Sequence, residues 1–177
     1  MWHEESPKLG GPNTSRRKLT ACARFGDMNI EMRASFEASM DQLLRAIDFV
    51  EAFGVHHGLR ADDTTRLVLM VEELFTNTAT HGVALHVGDQ RVQIDICLAC
   101  RVDQLTLEYA DSAPRFDPLA SLQRANGELD TELEGRAIGH MGLPLVMAMA
   151  TSADYAHVDG LNRLALRLAR GGSLPPP

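Results

Sequence analysis

The chain has 177 residues, enough for one domain with a tail, and its 45% hydrophobic content can fill a core. The longest apolar run, from Met141 to Ala150, is too short to cross a bilayer, and the N-terminus lacks the apolar segment of a secretory signal. We therefore expect a cytoplasmic protein that does not act at a membrane.

Charge argues against nucleic acid as a partner. The net charge is -7, and five of the 17 Lys and Arg residues but only two of the 24 Asp and Glu residues lie in positions 1–24, so the rest of the chain carries -10. An acidic body repels a phosphate backbone. Because no lysine follows Lys18, a P-loop with its Gly-Lys-Ser/Thr sequence is also excluded.

The first third of the chain predicts two extended segments and then a helix. Residues 1–18 have no hydrophobic periodicity and are predicted to be a disordered extension. Segments 19–25 and 28–34 have the composition of strands. From Ser35 the period changes, and apolar residues recur every three or four positions as far as Phe53, which predicts a helix.

The middle of the chain predicts a second helix and a β-hairpin. The helix is expected to begin at Asp62 or Asp63, either of which can cap it, and to end at His81-Gly82. Residues 91–100 and 105–109 then alternate between apolar and polar like two antiparallel strands.

The last third predicts a loop, a helix and two strands. Residues 118–138 have no strong pattern and are expected to form a loop that is either a functional lid or disordered. A short helix then opens near Gly139, and segments 153–158 and 163–168 read as strands. Because helices and strands mix without a βαβ rhythm, the sequence predicts an α+β fold with one sheet covered by helices.

Three polar residues on the second helix are candidates for chemistry. Glu73, Asn77 and His81 are four positions apart, which places them on one helix face beside the apolar stripe. An Asn oxygen suits Mg²⁺, and a Glu one turn earlier can accept a proton. A solvated helix face is the alternative, although Asn is a mediocre helix former.

Two further motifs are weak when taken alone. Asp111 ends a predicted strand, where its carboxylate can accept a hydrogen bond from an exocyclic amine, although Asp is also a common turn residue. Gly139 and Gly142 open a helix whose backbone N–H groups favour an anion, although a glycine before a helix is usually just a turn. Cys97 and Cys100 form a CxxC, but on a strand they point to opposite faces and are expected to be ordinary buried residues.

Together, and in this order, these motifs resemble the GHKL-type (Bergerat-fold) ATPases. The segment EELFTNTATHG is similar to their N-box, DSAPRFDP to their first glycine box, and GRAIGHMGLPLV to the second. The closing ADYAHVDGLNRLALRL is similar to the last two strands of the anti-sigma-factor serine/threonine kinases, one branch of that family. The resemblance covers residues 28–169.

The resemblance implies a fold, a domain and cofactors. The fold is a two-layer α/β sandwich of the histidine-kinase-like type, with one mixed sheet covered by helices on one face. The domain is expected to span residues 19–170, between the disordered segments 1–18 and 171–177. The implied cofactors are ATP and Mg²⁺.

The resemblance also implies roles for individual residues. Asn77 would hold the Mg²⁺ that bridges the ATP phosphates, Glu73 would be the general base on the attacking hydroxyl, and Asp111 would bind the adenine amine. His81 would lie near the phosphates. Arg136 is a candidate for the γ-phosphate, with a solvated lid residue as the alternative. The other implied nucleotide contacts are Ala113, Phe116, Gly139, His140, Met141, Gly142 and Leu143.

By the same resemblance, the protein would sequester a sigma factor and phosphorylate a STAS-type antagonist on serine or threonine, with homodimerisation common in the family. Three departures leave an alternative open: Ala113 and His140 stand where the family pattern has glycine, and Ala165 stands where threonine often supports Asp111. The alternative is a non-catalytic module with weak or no ATP binding that regulates a partner by contact. A fragment of a larger signalling ATPase is a third hypothesis.

Overall fold

A computed structural model describes residues 30–87, 91–127 and 142–171. Several predictions lie outside these ranges: the extension 1–18, the strand 19–25, most of the C-terminal tail and the lid after residue 127. The same holds for four predicted site residues, namely Arg136, Gly139, His140 and Met141.

Five strands form one sheet in the order β1-β2-β3-β5-β4. They are β1 (Ile30–Glu37), β2 (Gln93–Cys100), β3 (Gln104–Asp111), β4 (Ser152–Val158) and β5 (Leu161–Ala169). The predicted α+β class is confirmed. The expectation of a mixed sheet is wrong for the described strands, because all their pairings are antiparallel. Short turns join β2 to β3 and β4 to β5, and such hairpins are antiparallel by construction.

The register gives the sheet one apolar and one polar face. Met32, Leu98, Leu107 and Leu166 lie in one cross-strand row and pack into the core. Arg33 and Glu108 lie in the neighbouring row, on the opposite face, and are exposed. Since side chains alternate along a strand, helices need to cover only one face.

The two cysteines of the CxxC point to opposite faces, as predicted. Cys100 belongs to the core cluster, whereas Cys97 lies on the polar face between Arg33 and Glu108. Burial, followed by a hydrogen bond with Glu31, raises the pKa of the Cys97 thiol to about 12. A thiol with such a pKa stays protonated at neutral pH and is a poor metal ligand or nucleophile.

Helices cover the apolar face. They are α1 (Leu43–His56), α2 (Ala61–Asn77), α3 (Val83–Leu85), α4 (Pro118–Gly127) and α5 (Gly142–Met149), with a 3₁₀ turn at Met40–Gln42 before α1. Helix α2 buries Leu67, Met70, Val71 and Leu74 against the sheet. Within the described ranges, no helix combines the length and apolar character needed to cross a bilayer.

Some predicted boundaries are wrong. Strand β1 continues to Glu37, past Ser35, because its register with β2 extends through Phe36 and Glu37. Helix α2 begins at Ala61, and Asp62 and Asp63 lie in its first turn instead of capping it. Their negative charge is favourable there because the N-terminal end of a helix is electropositive.

Helix α4 occupies part of the predicted loop. The carboxylate oxygen Oδ1 of Asp117 accepts hydrogen bonds from the N–H groups of Leu119 and Ala120, both at 3.0 Å. Asp117 is therefore an N-cap and Pro118 occupies the first helical position, a favoured pairing. Asp117 and Pro118 mark this helix start in the sequence, but the apolar residues that follow have only weak helical periodicity, so the helix was not predicted.

Candidate functional site

Helix α2 carries the two predicted residues Glu73 and Asn77. Both are half-buried, one turn apart, at the margin of the face that packs on the core. The bulky apolar residues between them, Leu74 and Phe75, are buried and fix the rotation of the helix. Glu73 and Asn77 therefore lie on a common edge of α2, as their four-residue spacing predicts.

The predicted ladder does not continue regularly to His81. After Asn77 the backbone changes to a π-helical turn, Thr78–Gly82, before α3. Because a π turn bonds each residue to the one five positions away, His81 leaves the four-residue register and is exposed. Such insertions into α-helices occur frequently at functional sites.

The expected helix end at Gly82 is wrong, and the glycine has another reason to be there. Its backbone is right-handed, with φ of -64° and ψ of -44°, so it is not a C-terminal cap. A Cβ on Gly82 would lie 2.9 Å from the Cβ of Ala113. Gly82 thus allows the helix to approach the turn that follows β3.

That approach also explains how Ala113 is accommodated where the family pattern has glycine. The Ala113 methyl group is buried and points toward Gly82. Of the non-glycine residues described, only Asp159 has a positive φ, so the backbone at Ala113 does not require glycine.

Asp111 is buried at the end of β3 and is held by several donors. Its Oδ1 accepts hydrogen bonds from the Ala113 N–H and from Nδ2 of Asn162, both at 2.9 Å. Its Oδ2 lies 3.5 Å from Oγ1 of Thr78, the residue directly after Asn77. Burial raises the pKa of the Asp111 carboxyl, and hydrogen bonds from Asn162, Ala113 and Thr78 oppose that rise.

Tyr109 connects α2 to β3 beneath this carboxylate. Its hydroxyl lies 2.8 Å from Oγ1 of Thr78 and 3.2 Å from the carbonyl oxygen of Leu74. The ring is fully buried, and this burial raises the pKa of the hydroxyl well above its ordinary value. Tyr109 therefore stays a neutral hydrogen-bonding group that joins the Asn77 helix to the Asp111 strand.

Asn162 is a site residue that sequence reasoning missed. It pairs directly with Asp111 across β3 and β5, and its amide donates to the carboxylate. The expectation that position 165 faces Asp111 is wrong, because Ala165 pairs with Glu108 on the polar side of the sheet. A threonine at position 165 would face away from the carboxylate, so Ala165 removes no support from it.

Helix α5 brings the second glycine box onto α2. A Cβ on Gly142 would lie 1.6 Å from Oε2 of Glu73, so the glycine backbone rests against this carboxylate. Leu143 is half-buried and packs against the core, whereas Phe116 is 54% exposed. The structure thus brings Glu73 to Gly142 and Thr78 to Asp111 on the same side of the sheet.

The residues present fit a magnesium-bound nucleotide. Within the described ranges, no group of three or more His, Cys, Asp or Glu could hold a metal alone. Mg²⁺, however, takes only one or two protein ligands and completes its shell with phosphates and water. Asn77 suits this role, because no described residue forms a hydrogen bond with its half-buried carboxamide.

The chain belongs to the histidine kinase-like ATPase domain family, whose model matches residues 36–168. This match confirms the resemblance to the GHKL-type ATPases and makes a nucleotide the ligand expected from family membership. None of the curated proteins matches the sequence significantly.

A solved structure shares the fold. It is the crystal structure of the RsbU and RsbW domains of Rv1364c from Mycobacterium tuberculosis, with a TM-score of 0.53 and 15% sequence identity. The match covers 82% of this chain and 34% of the other, so this chain corresponds to about a third of that polypeptide.

Proposed function

We propose that this domain is an ATP-binding anti-sigma factor with serine/threonine kinase activity. The observation that carries the proposal is the placement of Glu73 and Asn77 on α2, with Gly142 against Glu73 and Asp111 beside Thr78. A carboxylate, a carboxamide oxygen, a helix start and a buried strand-end carboxylate are the groups that a Mg-ATP site requires in this family.

Nucleotide binding is assigned to Asp111 and Asn77. Among the described residues, Oδ2 of Asp111 has only the long contact with Thr78, so it can accept a hydrogen bond from the adenine amine. The Asn77 oxygen would hold Mg²⁺, which when bound neutralises charge on the phosphates. Predicted contacts outside the described ranges, including Arg136 and His140, belong to the same proposal.

Phosphoryl transfer is assigned to Glu73. Its carboxylate would accept the proton of a substrate serine or threonine hydroxyl while the hydroxyl oxygen forms a bond to the γ-phosphorus. The bond between the γ-phosphorus and the β–γ bridging oxygen breaks, and ADP leaves. The products are therefore a phosphoprotein and ADP.

The partners follow from the branch that the sequence resembles. A sigma factor would be the sequestered partner and a STAS-type antagonist the phosphorylated one, so that transcription is regulated by partner switching. Support comes from the shared fold with a structure that contains an RsbW domain. A homodimer is part of the same proposal.

The test is label transfer from Mg-ATP to a STAS-type antagonist by the full chain. We expect Glu73→Gln to abolish transfer and to retain ATP binding, since the base is lost but the Asn77 and Asp111 contacts remain. Glu72→Gln is the matched control, because Glu72 is exposed on the same helix turn. Transfer by Glu73→Gln at the wild-type rate would refute the assignment of the base.

One observation favours the non-catalytic module as a second candidate. The backbone of Gly142 already rests on the Glu73 carboxylate, where a substrate hydroxyl would have to approach. Calorimetry with ATP and Mg²⁺ discriminates between the two functions. No detectable heat at millimolar nucleotide, together with tight binding to a sigma factor, would favour the contact-only regulator.

A further inference from the structure

Among the described side chains at the site, the Asn162 amide forms the most hydrogen bonds. It is 7% exposed and lies where β5 faces the end of β3. Its Nδ2 donates to Oδ1 of Asp111 at 2.9 Å and to the carbonyl oxygens of Ala113 and Pro114, both at 3.2 Å. Its Oδ1 accepts from the Phe116 N–H at 3.1 Å and from the Tyr155 hydroxyl at 2.9 Å.

These hydrogen bonds can form in only one of the two orientations of the Asn162 side-chain amide. With the amide reversed, its oxygen would face a carboxylate and two carbonyl oxygens, all of which are acceptors. The two donors on the other side, the Tyr155 hydroxyl and the Phe116 N–H, hold the oxygen toward themselves. The Tyr155 hydroxyl, from strand β4, is therefore one of the five contacts that set the orientation of the Asn162 amide.

Tyr155 is itself tied to the turn after β3. It is half-buried, and Arg115 contacts its hydroxyl from that turn. Burial raises the pKa of the Tyr155 hydroxyl, so it remains a hydrogen-bond donor at neutral pH. The edge strand, β5 and the turn 112–117 are thus joined through two side chains.

We propose that Tyr155 and Asn162 are a positioning pair that sets the Asp111 carboxylate and the 113–116 turn for the nucleotide. This inference rests on the proposed function, because it assumes that Asp111 binds the adenine amine. Neither residue touches the nucleotide in this assignment: Tyr155 orients Asn162, and Asn162 orients Asp111.

The pH dependence of ATP binding distinguishes a positioning role of Asn162 from a purely structural one. Asn162 hydrogen-bonds the charged form of Asp111, so removing it raises the pKa of this carboxyl and moves the acid limit of ATP binding to higher pH. Among the described residues, Asp111 also interacts with Thr78 in the π-helical turn, with Tyr109 on its own strand, and with Tyr155 and His157 on β4. Because His157 lowers the pKa of the Asp111 carboxyl electrostatically, His157→Gln is measured alongside to separate its contribution.

The experiment measures Mg-ATP affinity by calorimetry from acidic to neutral pH, with thermal melting of each full-length variant. We expect Tyr155→Phe to weaken binding about threefold to tenfold, the effect of one hydrogen bond. Asn162→Ala should weaken it further and shift the acid limit upward. Asp154→Asn is the matched control on β4, because its exposed side chain contacts only Arg167 among the described residues, and it should bind like the wild type.

The outcomes separate the inference from the proposed function. Wild-type affinity and an unchanged acid limit in both variants would overturn the positioning role while leaving ATP binding intact. If the wild type itself binds no ATP, the proposed function falls and this inference falls with it. If Asn162→Ala fails to fold, the isosteric Tyr155→Phe decides the matter, and its binding ATP like the wild type would overturn the inference.

Discussion

Gly142 lies directly against the carboxylate of Glu73. A Cβ on Gly142 would come within 1.6 Å of Oε2 and 2.3 Å of Cδ of that side chain. The N-box, which contains Glu73, and the second glycine box, which contains Gly142, are distant in sequence but in direct contact in the fold. Glycine is required at position 142 because a side chain there would overlap the Glu73 carboxylate. Any side chain at position 142 must displace the proposed base.

Gly142→Ala should impair phosphoryl transfer more than folding. We expect transfer to fall by up to about 100-fold, because a base moved by about 1 Å loses its alignment with the attacking hydroxyl. The free energy of unfolding should change by less than about 1 kcal/mol, since the displaced atoms belong to the flexible end of Glu73. Single-turnover label transfer and urea unfolding check both parts.

Leu145→Ala provides the control for that substitution. Leu145 is exposed in the same helix, so its truncation tests whether any change to α5 reduces activity. Loss of transfer in Leu145→Ala equal to that in Gly142→Ala would contradict a local effect on Glu73.

Asn77→Ala should remove the magnesium-dependent part of ATP binding. The carboxamide is half-buried and forms no hydrogen bond with any described residue, so truncation breaks no hydrogen bond among those residues. We expect a loss on the order of tenfold to 100-fold in the presence of Mg²⁺, and equal affinities of wild type and variant with a chelator. Thr80→Ala, at an exposed position of the π-helical turn, is the control. An undiminished magnesium effect in Asn77→Ala would refute the metal assignment.

Much of the fold was predictable because burial follows periodicity. Strand β3 alternates along its length and β2 does so except at Cys97, and α2 presents its apolar residues at helical spacing, so these elements could be located from the sequence. Helix α4 was not predicted because the helical periodicity of its apolar residues is weak and only Asp117 and Pro118 mark its start. The π-helical turn was not predicted because the 3.6-residue period used to locate helices holds only for a regular α-helix.

Within the candidate site, local spacing predicts the relationship between two residues. Glu73 and Asn77 belong to one helix, so their common edge follows from helix geometry. Asn162 depends on the register between β3 and β5, which two helices and a strand separate along the chain. A slip of one residue would turn Asn162 to the polar face, and the sequence alone does not fix that register.

As the pH is lowered, ATP binding should begin to weaken at a higher pH than it would if the Asp111 carboxyl had the pKa of an ordinary aspartate. The ionised Asp111 carboxylate is the form that accepts a hydrogen bond from an amine, and burial raises its pKa. Affinity should therefore fall as the pH drops through this raised pKa. Calorimetry over a pH series checks the shift, and Asp95→Asn, at an exposed position on β2, should leave the profile unchanged.

The same carboxyl should lower the stability of the folded protein at neutral pH. A raised folded-state pKa means that the native state binds the proton more tightly than the unfolded chain. This contribution to stability is present at low pH and is lost as the pH rises through the folded-state pKa. Asp111→Asn should thus abolish ATP binding yet increase the free energy of unfolding at neutral pH by about 0.5–2 kcal/mol. A large destabilisation would show that hydrogen bonding to the charged form outweighs burial.

A buried ion pair fastens the end of β5 to the start of α2. Asp63 and Arg66 are 0% and 3% exposed and form a salt bridge. Nη2 of Arg66 also donates to the carbonyl oxygen of Ala169 at 2.7 Å, and the N–H of Gly171 donates to the Asp63 carboxylate at 3.0 Å. Both charges therefore act as hydrogen-bonding anchors for the last residues of the sheet.

Asp63→Ala should destabilise the protein by about 3–5 kcal/mol, because it leaves the Arg66 charge buried without its counter-charge. The double variant Asp63→Leu with Arg66→Met should be more stable than either single change, since no buried charge remains and Nε of Arg66 already lacks a partner among the described residues. Arg91→Gln is the control: it breaks an exposed pair with Glu37 and should cost at most about 1 kcal/mol. Urea unfolding measures all of these variants, and a cost for Asp63→Ala as small as that for Arg91→Gln would contradict the anchoring role.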